Sequence, residues 1–141
     1  MAVIVQKFGG TSVGTIERIR AVAKKVIDRK KQGNDMVVVV SAMGKTTDEL
    51  ITMAKQISPN PNKRELDMLV STGEQISIAL LSMAFQEMGC DSISLTGFQA
   101  GIKTEGHHTK NRITDIDLEN VRKHLSAGRV VVVAGFQGIN D

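Results

Sequence analysis

One cysteine, two prolines, four phenylalanines and neither tryptophan nor tyrosine occur in these 141 residues. The lone Cys90 cannot form an internal disulfide, so nothing in the chain requires an oxidising compartment. Scarce aromatics argue against a single-stranded nucleic-acid surface, which needs stacking platforms beside its positive charge. No segment is expected to span a bilayer, and the stretch 2–5 is too short for the apolar region of a secretory signal. A cytoplasmic protein with neither a nucleic-acid nor a membrane partner is the expectation. His107, His108 and His124 lack zinc-ligand spacing, and no metal site is assigned; the first two read as exposed loop residues. Charge is also nearly balanced at a formal +3, and its densest basic group, Lys24, Lys25, Arg29, Lys30 and Lys31, reads as a solvated helix face.

What is present is an ordinary globular composition, 41% hydrophobic and 23% charged, with thirteen glycines. Apolar runs at 3–5, 36–40, 92–95 and 130–134 show no in/out alternation where valines repeat, as strands buried on both faces do. Between them the apolar spacing is helical. Ile16, Ile19, Ala23, Val26 and Ile27 trace one stripe closed by Gly33, and Leu50, Ile51, Ala54 and Ile57 a second stopped by Pro59 and Pro61. A third region runs from Leu66 to Met88, punctuated at Gly73 and ended by Gly89. A fourth is expected over 115–126, with Asp115 as its cap. Residues 97–113 suit a loop or hairpin excursion. Strands alternating with helices predict a three-layer α/β/α sandwich on a mainly parallel sheet.

Two glycine turns carry candidate chemistry. Val3-Ile4-Val5 leads into Gln6-Lys7-Phe8-Gly9-Gly10-Thr11-Ser12-Val13-Gly14 and then a helix. A strand, a glycine turn and a helix N-terminus make a phosphate cradle, and Lys7 adds a full positive charge. By itself the pattern is equally a tight turn with a surface lysine. Ser41-Ala42-Met43-Gly44-Lys45-Thr46 ends like a P-loop, but the required first glycine is Val39, which excludes that motif. Thr46 with Glu49, and Ser71 with Glu74, have the spacing of capping boxes, which spacing alone favours over a ligand role. Cys90, beside Gly89 at a helix end, reads as a small packing residue.

Taken together, the segments resemble the aspartokinase family. Lys7-Phe8-Gly9-Gly10-Thr11-Ser12 resembles its lysine-aromatic-glycine-glycine opening, and 38–50, VVVSAMGKTTDEL, resembles its second strand and loop. Residues 69–77, LVSTGEQIS, resemble the helix carrying an acidic substrate contact. Segments at 96–102 and 134–138 match in the same order. The resemblance implies the amino-acid kinase fold and a MgATP-dependent phosphorylation of the side-chain carboxylate of aspartate, opening the route to lysine, threonine and methionine. It implies Lys7 as the catalytic charge on the transferring phosphoryl group, and Phe8, Gly9, Gly10 and Ser12 around the ATP phosphates. It also implies Ser41, Thr47 and Glu74 around aspartate, Glu74 facing the ammonium group. Two alternatives stand beside it: a kinase of the same fold acting on glutamate, acetylglutamate, carbamate or a nucleotide, or a non-catalytic binding or assembly module. The resemblance further implies that residues 1–141 form the N-terminal part of a catalytic domain, without its adenine-binding half and ACT domains. Such a part is expected to be inactive alone and, through an apolar sheet edge at 130–133, to self-associate or dock against a partner chain.

Overall fold

Valine-rich runs become strands because β-branched side chains fit a pleated surface that is covered on both sides. The computed structural model describes residues 2–105, 112–116 and 118–135. In chain order they form β1 (Val3–Phe8), α1 (Ile16–Lys31), β2 (Asp35–Val40), α2 (Thr46–Ile57), α3 (Lys63–Glu87), β3 (Ser92–Leu95), β4 (Ile102–Glu105), β5 (Arg112–Ile116), α4 (Glu119–Ser126) and β6 (Val130–Ala134). The four apolar runs make one parallel sheet in the order β1-β2-β6-β3, while β4 and β5 pair antiparallel as a separate hairpin. The hairpin begins inside the excursion expected over 97–113 and runs past its end to Ile116.

Alternation along the strands divides the core into two layers. Met36, Val38, Val40, Val130, Val132 and Ala134 point toward α1 and α3, where they meet Ile19, Val22, Ala23, Val26, Ile78, Leu81 and Phe85. Val37, Val131, Val133 and Leu95 point the other way, onto Val121 and Leu125 of α4. Helices thus cover both faces, giving the three-layer α/β/α arrangement. Small residues let α3 lie close to the sheet, where the Ser82 and Ser92 hydroxyls meet at 2.8 Å and Ser92 also donates to the Ser82 carbonyl at 3.0 Å. The α2 helix packs on α3 and buries no residue fully.

Local signals set most boundaries. The Thr15 hydroxyl accepts from the Arg18 N–H at 3.1 Å, which fixes the start of α1. Gly33 follows α1 with φ +96°, a conformation that costs glycine no steric strain. Lys24, Lys25, Arg29 and Lys31 are exposed on α1, opposite its buried stripe. Cys90 is partly buried against the α1/α3 core, and burial pushes its thiol up, as suits a packing residue. On the far side of the molecule Arg129 ties α4 to the sheet, standing 3.0 Å from His124 Nδ1 and 3.4 Å from an Asp91 carboxylate oxygen. His107 and His108 lie outside the described residues.

Three expectations need correction. The α3 helix runs unbroken through Gly73, because packing decides the conformation of a buried glycine more than its propensity does. Asp115 belongs to β5, and α4 begins only at Glu119 behind Leu118, since pairing with β4 claims residues 112–116. Finally, 130–133 is no exposed edge. β6 inserts between β2 and β3, and Val130, Val131 and Val132 are wholly buried. Among the described residues the outer strands are β1 and β3, and it is Val3 and Val5 of β1 that are exposed.

Phe85, the largest fully buried side chain among the described residues, wedges between α3 and the sheet. Phe85→Ala is expected to cost about 3–5 kcal/mol. Urea unfolding followed by circular dichroism measures it; a loss below about 1 kcal/mol would contradict this placement of the core.

Candidate active site

Because the four sheet strands are parallel, their carboxyl ends share one edge, where open α/β sheets bind ligands. Lys7 stands opposite Val39 and Phe8 opposite Val40, so the glycine turn after β1 and the loop after β2 emerge side by side. The Ser41 N–H donates to the Phe8 carbonyl at 3.3 Å, and the Gly135 N–H donates to the Val40 carbonyl at 2.9 Å. Lys7 and Ser41 therefore lie at the same end of the sheet.

The two loops interlock. The Gly44 N–H donates to the Gly10 carbonyl at 2.9 Å. A Cβ on Gly10 would lie 2.7 Å from the Ala42 carbonyl oxygen and within 3.3 Å of the Gly44 backbone, so only glycine fits there. Gly9 is exposed, and among the described residues no heavy atom lies within 4 Å of where its Cβ would stand. The outer surface of the turn is thus open to a ligand, and its inner surface is closed by protein. Behind it, the Ser12 N–H donates to the Gly9 carbonyl at 3.1 Å, and Arg18 of α1 donates to the Thr11 carbonyl at 2.7 Å. Arg18 is a residue the sequence reading passed over. Seven positions from its acceptor and on a helix, it carries no local signal of clamping a turn.

The third segment arrives through α3. Gly73 packs so closely on the second loop that a Cβ would stand 3.1 Å from both Ala42 Cβ and Thr46 Cγ2. Glu74 follows it, half-buried, and Thr47 occupies the first turn of α2, also half-buried. Neither capping box forms. Ser71 and Glu74 lie inside α3, where the Ser71 and Thr72 hydroxyls donate back to the Met68 and Leu69 carbonyls at 2.8 and 2.6 Å. At α2 the cap position falls on Lys45 and has no side-chain hydrogen bond. Spacing had favoured capping; the actual helix boundaries remove it.

The edge does not gather every candidate onto one face. Ile4 and Phe8 pack with the α1/α3 core, so pleat alternation puts Lys7 on the α4 face, exposed. Gly73 and Glu74 approach from the α3 side. Lys7 and Glu74 thus flank the strand ends from opposite faces, with the glycine turn and Ser41 between them. A further loop after β3 closes on itself at this edge: the Gln99 carboxamide accepts from the Thr96 N–H at 3.0 Å, and Asn120 of α4 donates to the Gln99 carbonyl at 2.7 Å. The segment 134–138 is described only to Gly135.

The sequence profile described as the amino acid kinase family matches residues 2–141. The chain belongs to that family. Over all 141 residues it is 62% identical to the aspartokinase of Geobacillus stearothermophilus, of which it spans 35%. It is 59% identical to the crystallised aspartate kinase of Synechocystis, with a TM-score of 0.80 over 96% of this chain and 22% of that one. The Escherichia coli aspartokinase III structure in complex with aspartate and ADP also gives 0.80, over 96% of this chain and 41% of that one; at 18% identity it speaks for the amino-acid kinase fold alone. The chain therefore spans about a third of the length of the curated aspartokinase it matches.

In this family member the interlocked loops generate a sharp contrast between adjacent glycines. Gly10→Ala is expected to destabilise the fold by about 1–3 kcal/mol through overpacking against backbone. Gly9→Ala is expected to change stability by less than about 0.5 kcal/mol. Thermal and urea unfolding of both variants measure the difference; equal effects would contradict the interlock.

Proposed function

We propose that this chain is the N-terminal part of an aspartokinase catalytic domain and supplies one side of its cleft. The observation that carries the reading is the convergence of three separate segments at one sheet edge: the turn after β1, the loop after β2, and α3 at Gly73 and Glu74. The identity with curated aspartokinases supports aspartate as the phosphoryl acceptor, and the aspartate and ADP named for the E. coli enzyme support the ligand pair.

In this reading ATP enters as its magnesium complex, with its phosphates over the open surface of the Gly9-Gly10 turn, beside Phe8 and Ser12. The fit is physical, since none of the described residues stands over Gly9 and the turn is held rigid from behind. Lys7 supplies positive charge to the phosphoryl group in transit, and Ser41 lines the cleft between nucleotide and acceptor. Thr47 and Glu74 hold aspartate, Glu74 pairing with its ammonium group. The attacking carboxylate is already ionised at neutral pH, so the chemistry needs position and charge stabilisation and no general base. Adenine contacts and the opposite wall of the cleft belong to the remainder of a full-length aspartokinase. The setting is cytoplasmic, and the catalytic unit is a homo-oligomer.

Trapping the acyl phosphate as its hydroxamate tests the reading. The 141-residue chain is expected to show no turnover with MgATP and aspartate, while the full-length parent turns over. Activity of the short chain comparable with the parent would overturn the one-sided cleft. In the parent, Glu74→Gln is expected to weaken aspartate binding by about 1.5–3 kcal/mol, the range for a charge-assisted contact. An unchanged aspartate KM with a lowered Tm would instead make Glu74 structural. Lys7→Ala is expected to lower kcat by about 10²–10³ with little change in aspartate KM.

A further inference from the structure

Gly10 and Val13 fix the glycine turn at two points, and the peptide between Thr11 and Ser12 is fixed by neither. Val13, 1% exposed, belongs to the α1/α3 core. Gly10 is locked against the loop after β2, where its carbonyl accepts from the Gly44 N–H. Between these anchors Thr11 and Ser12 are both exposed, so hydrogen bonds rather than packing must hold them.

The backbone oxygens of the turn are all engaged by protein donors. The Phe8 carbonyl accepts from the Ser41 N–H at 3.3 Å and the Gly9 carbonyl from the Ser12 N–H at 3.1 Å. The Gly10 carbonyl accepts from the Gly44 N–H at 2.9 Å and the Thr11 carbonyl from the Gly14 N–H at 3.3 Å. A trans peptide holds its N–H opposite its C=O, so the Gly10 and Thr11 N–H groups point away from the donors that engage the preceding carbonyls. That is the polarity an anion on the turn requires. At Thr11 it is least secure. The Gly14 bond is long and comes from within the turn itself, so it ties Thr11 to nothing outside.

Arg18 provides the outside tie. Its Nη1 donates to the Thr11 carbonyl at 2.7 Å from the first turn of α1, a helix anchored by the Thr15 cap and the buried Ile19. A charged donor also makes a stronger bond than a backbone amide. We infer that Arg18 is a positioning residue for nucleotide use. By holding the Thr11 carbonyl toward α1, it keeps Ser12 beside the ATP phosphates. The inference rests on the aspartokinase reading of the turn and adds to it a residue that acts through the Thr11–Ser12 peptide without touching the nucleotide. Because Arg18 is exposed, its single bond contributes little to the fold. Its loss should therefore register in the handling of ATP and not in unfolding.

Steady-state kinetics of the full-length parent test this. Arg18→Met is expected to raise the KM for MgATP about five- to tenfold, the scale of one charge-assisted hydrogen bond. The aspartate KM should stay within about twofold and Tm within about 2 °C. Arg18→Lys, which keeps a cationic donor on a long stem, should recover most of the loss. Arg18→Met combined with Ser12→Ala should raise the ATP KM by less than the product of the single effects, since both act on one peptide. Fully multiplicative effects would mean that Arg18 reaches the phosphates by itself, and would overturn the positioning role. An unchanged ATP KM overturns it too, as does a lowered Tm with both KM values rising together, which would make Arg18 structural. Should the parent phosphorylate an acceptor other than aspartate, the aspartokinase reading fails, while the same ATP measurements with that acceptor still decide the role of Arg18.

Discussion

The approach of the Gly10 backbone to that of Ala42 and Gly44 is the constraint on which the candidate site depends. Parallel pairing of β1 with β2 brings two loops out at one edge, but pairing alone would leave them free to splay. The Gly44 N–H bond to the Gly10 carbonyl, with no space for a side chain between the loops, turns them into one rigid body. Gly73 extends the same principle to a third element. A glycine inside an α-helix costs about 1 kcal/mol against alanine. Here the missing Cβ lets α3 lie against Ala42 and Thr46, so the cost is offset by contact at the functional edge. The glycines that matter are thus the ones that let backbones touch.

Rigidity of this kind suits phosphoryl transfer. Phosphates are bound by donors and charges that must already be in place, because reorganising them during the reaction would consume the stabilisation they provide. Arg18, bonded to the Thr11 carbonyl, and the Thr15 cap hold the far side of the glycine turn to α1. The turn is then fixed on one side by a helix start and on the other by a loop, with only its outer surface open. Lys7 stands apart from this rigid body, exposed on the opposite face of β1. A long, flexible cation thus stands beside a fixed turn.

Much of this was legible in the residues. Doubly covered strands announce themselves in unbroken valine runs, and the parallel sheet with helices on both faces followed from their alternation with helical stripes. The order of the strands was not legible. Nothing in Val130 to Val133 says that β6 lies between β2 and β3, since strand order is decided by crossover geometry and by which helix covers which face. The start of α4 was missed because Asp115 is as good an N-cap as any, and a cap preference worth about 1 kcal/mol yields to pairing in a hairpin. The two capping boxes failed for the related reason that a four-residue spacing recurs within helices as readily as at their ends. The glycine turn was found through its strand and helix neighbours, whereas Arg18 was invisible because its partner is reached through space.

The long helix shows how one element serves two demands with one sequence. Its inner side must be apolar and small enough to pack on the sheet, which Val70, Ser77, Leu81 and Phe85 provide, with the Ser82–Ser92 bond satisfying buried hydroxyls. One turn must be bare, so that Gly73 can meet the second loop. These demands leave the outward residues free, and free positions on a surface helix ordinarily drift toward Lys and Glu, which are good helix formers and solvated. Here the first turns carry Lys63, Arg64, Glu65 and Asp67 and the last carries Glu87, while between them the exposed residues are Met68, Thr72, Gln75, Ile76, Met83 and Gln86 and the one charge, Glu74, is half-buried. The sheet side of α3 thus carries the packing and Gly73 the contact with the second loop, both within one continuous helix.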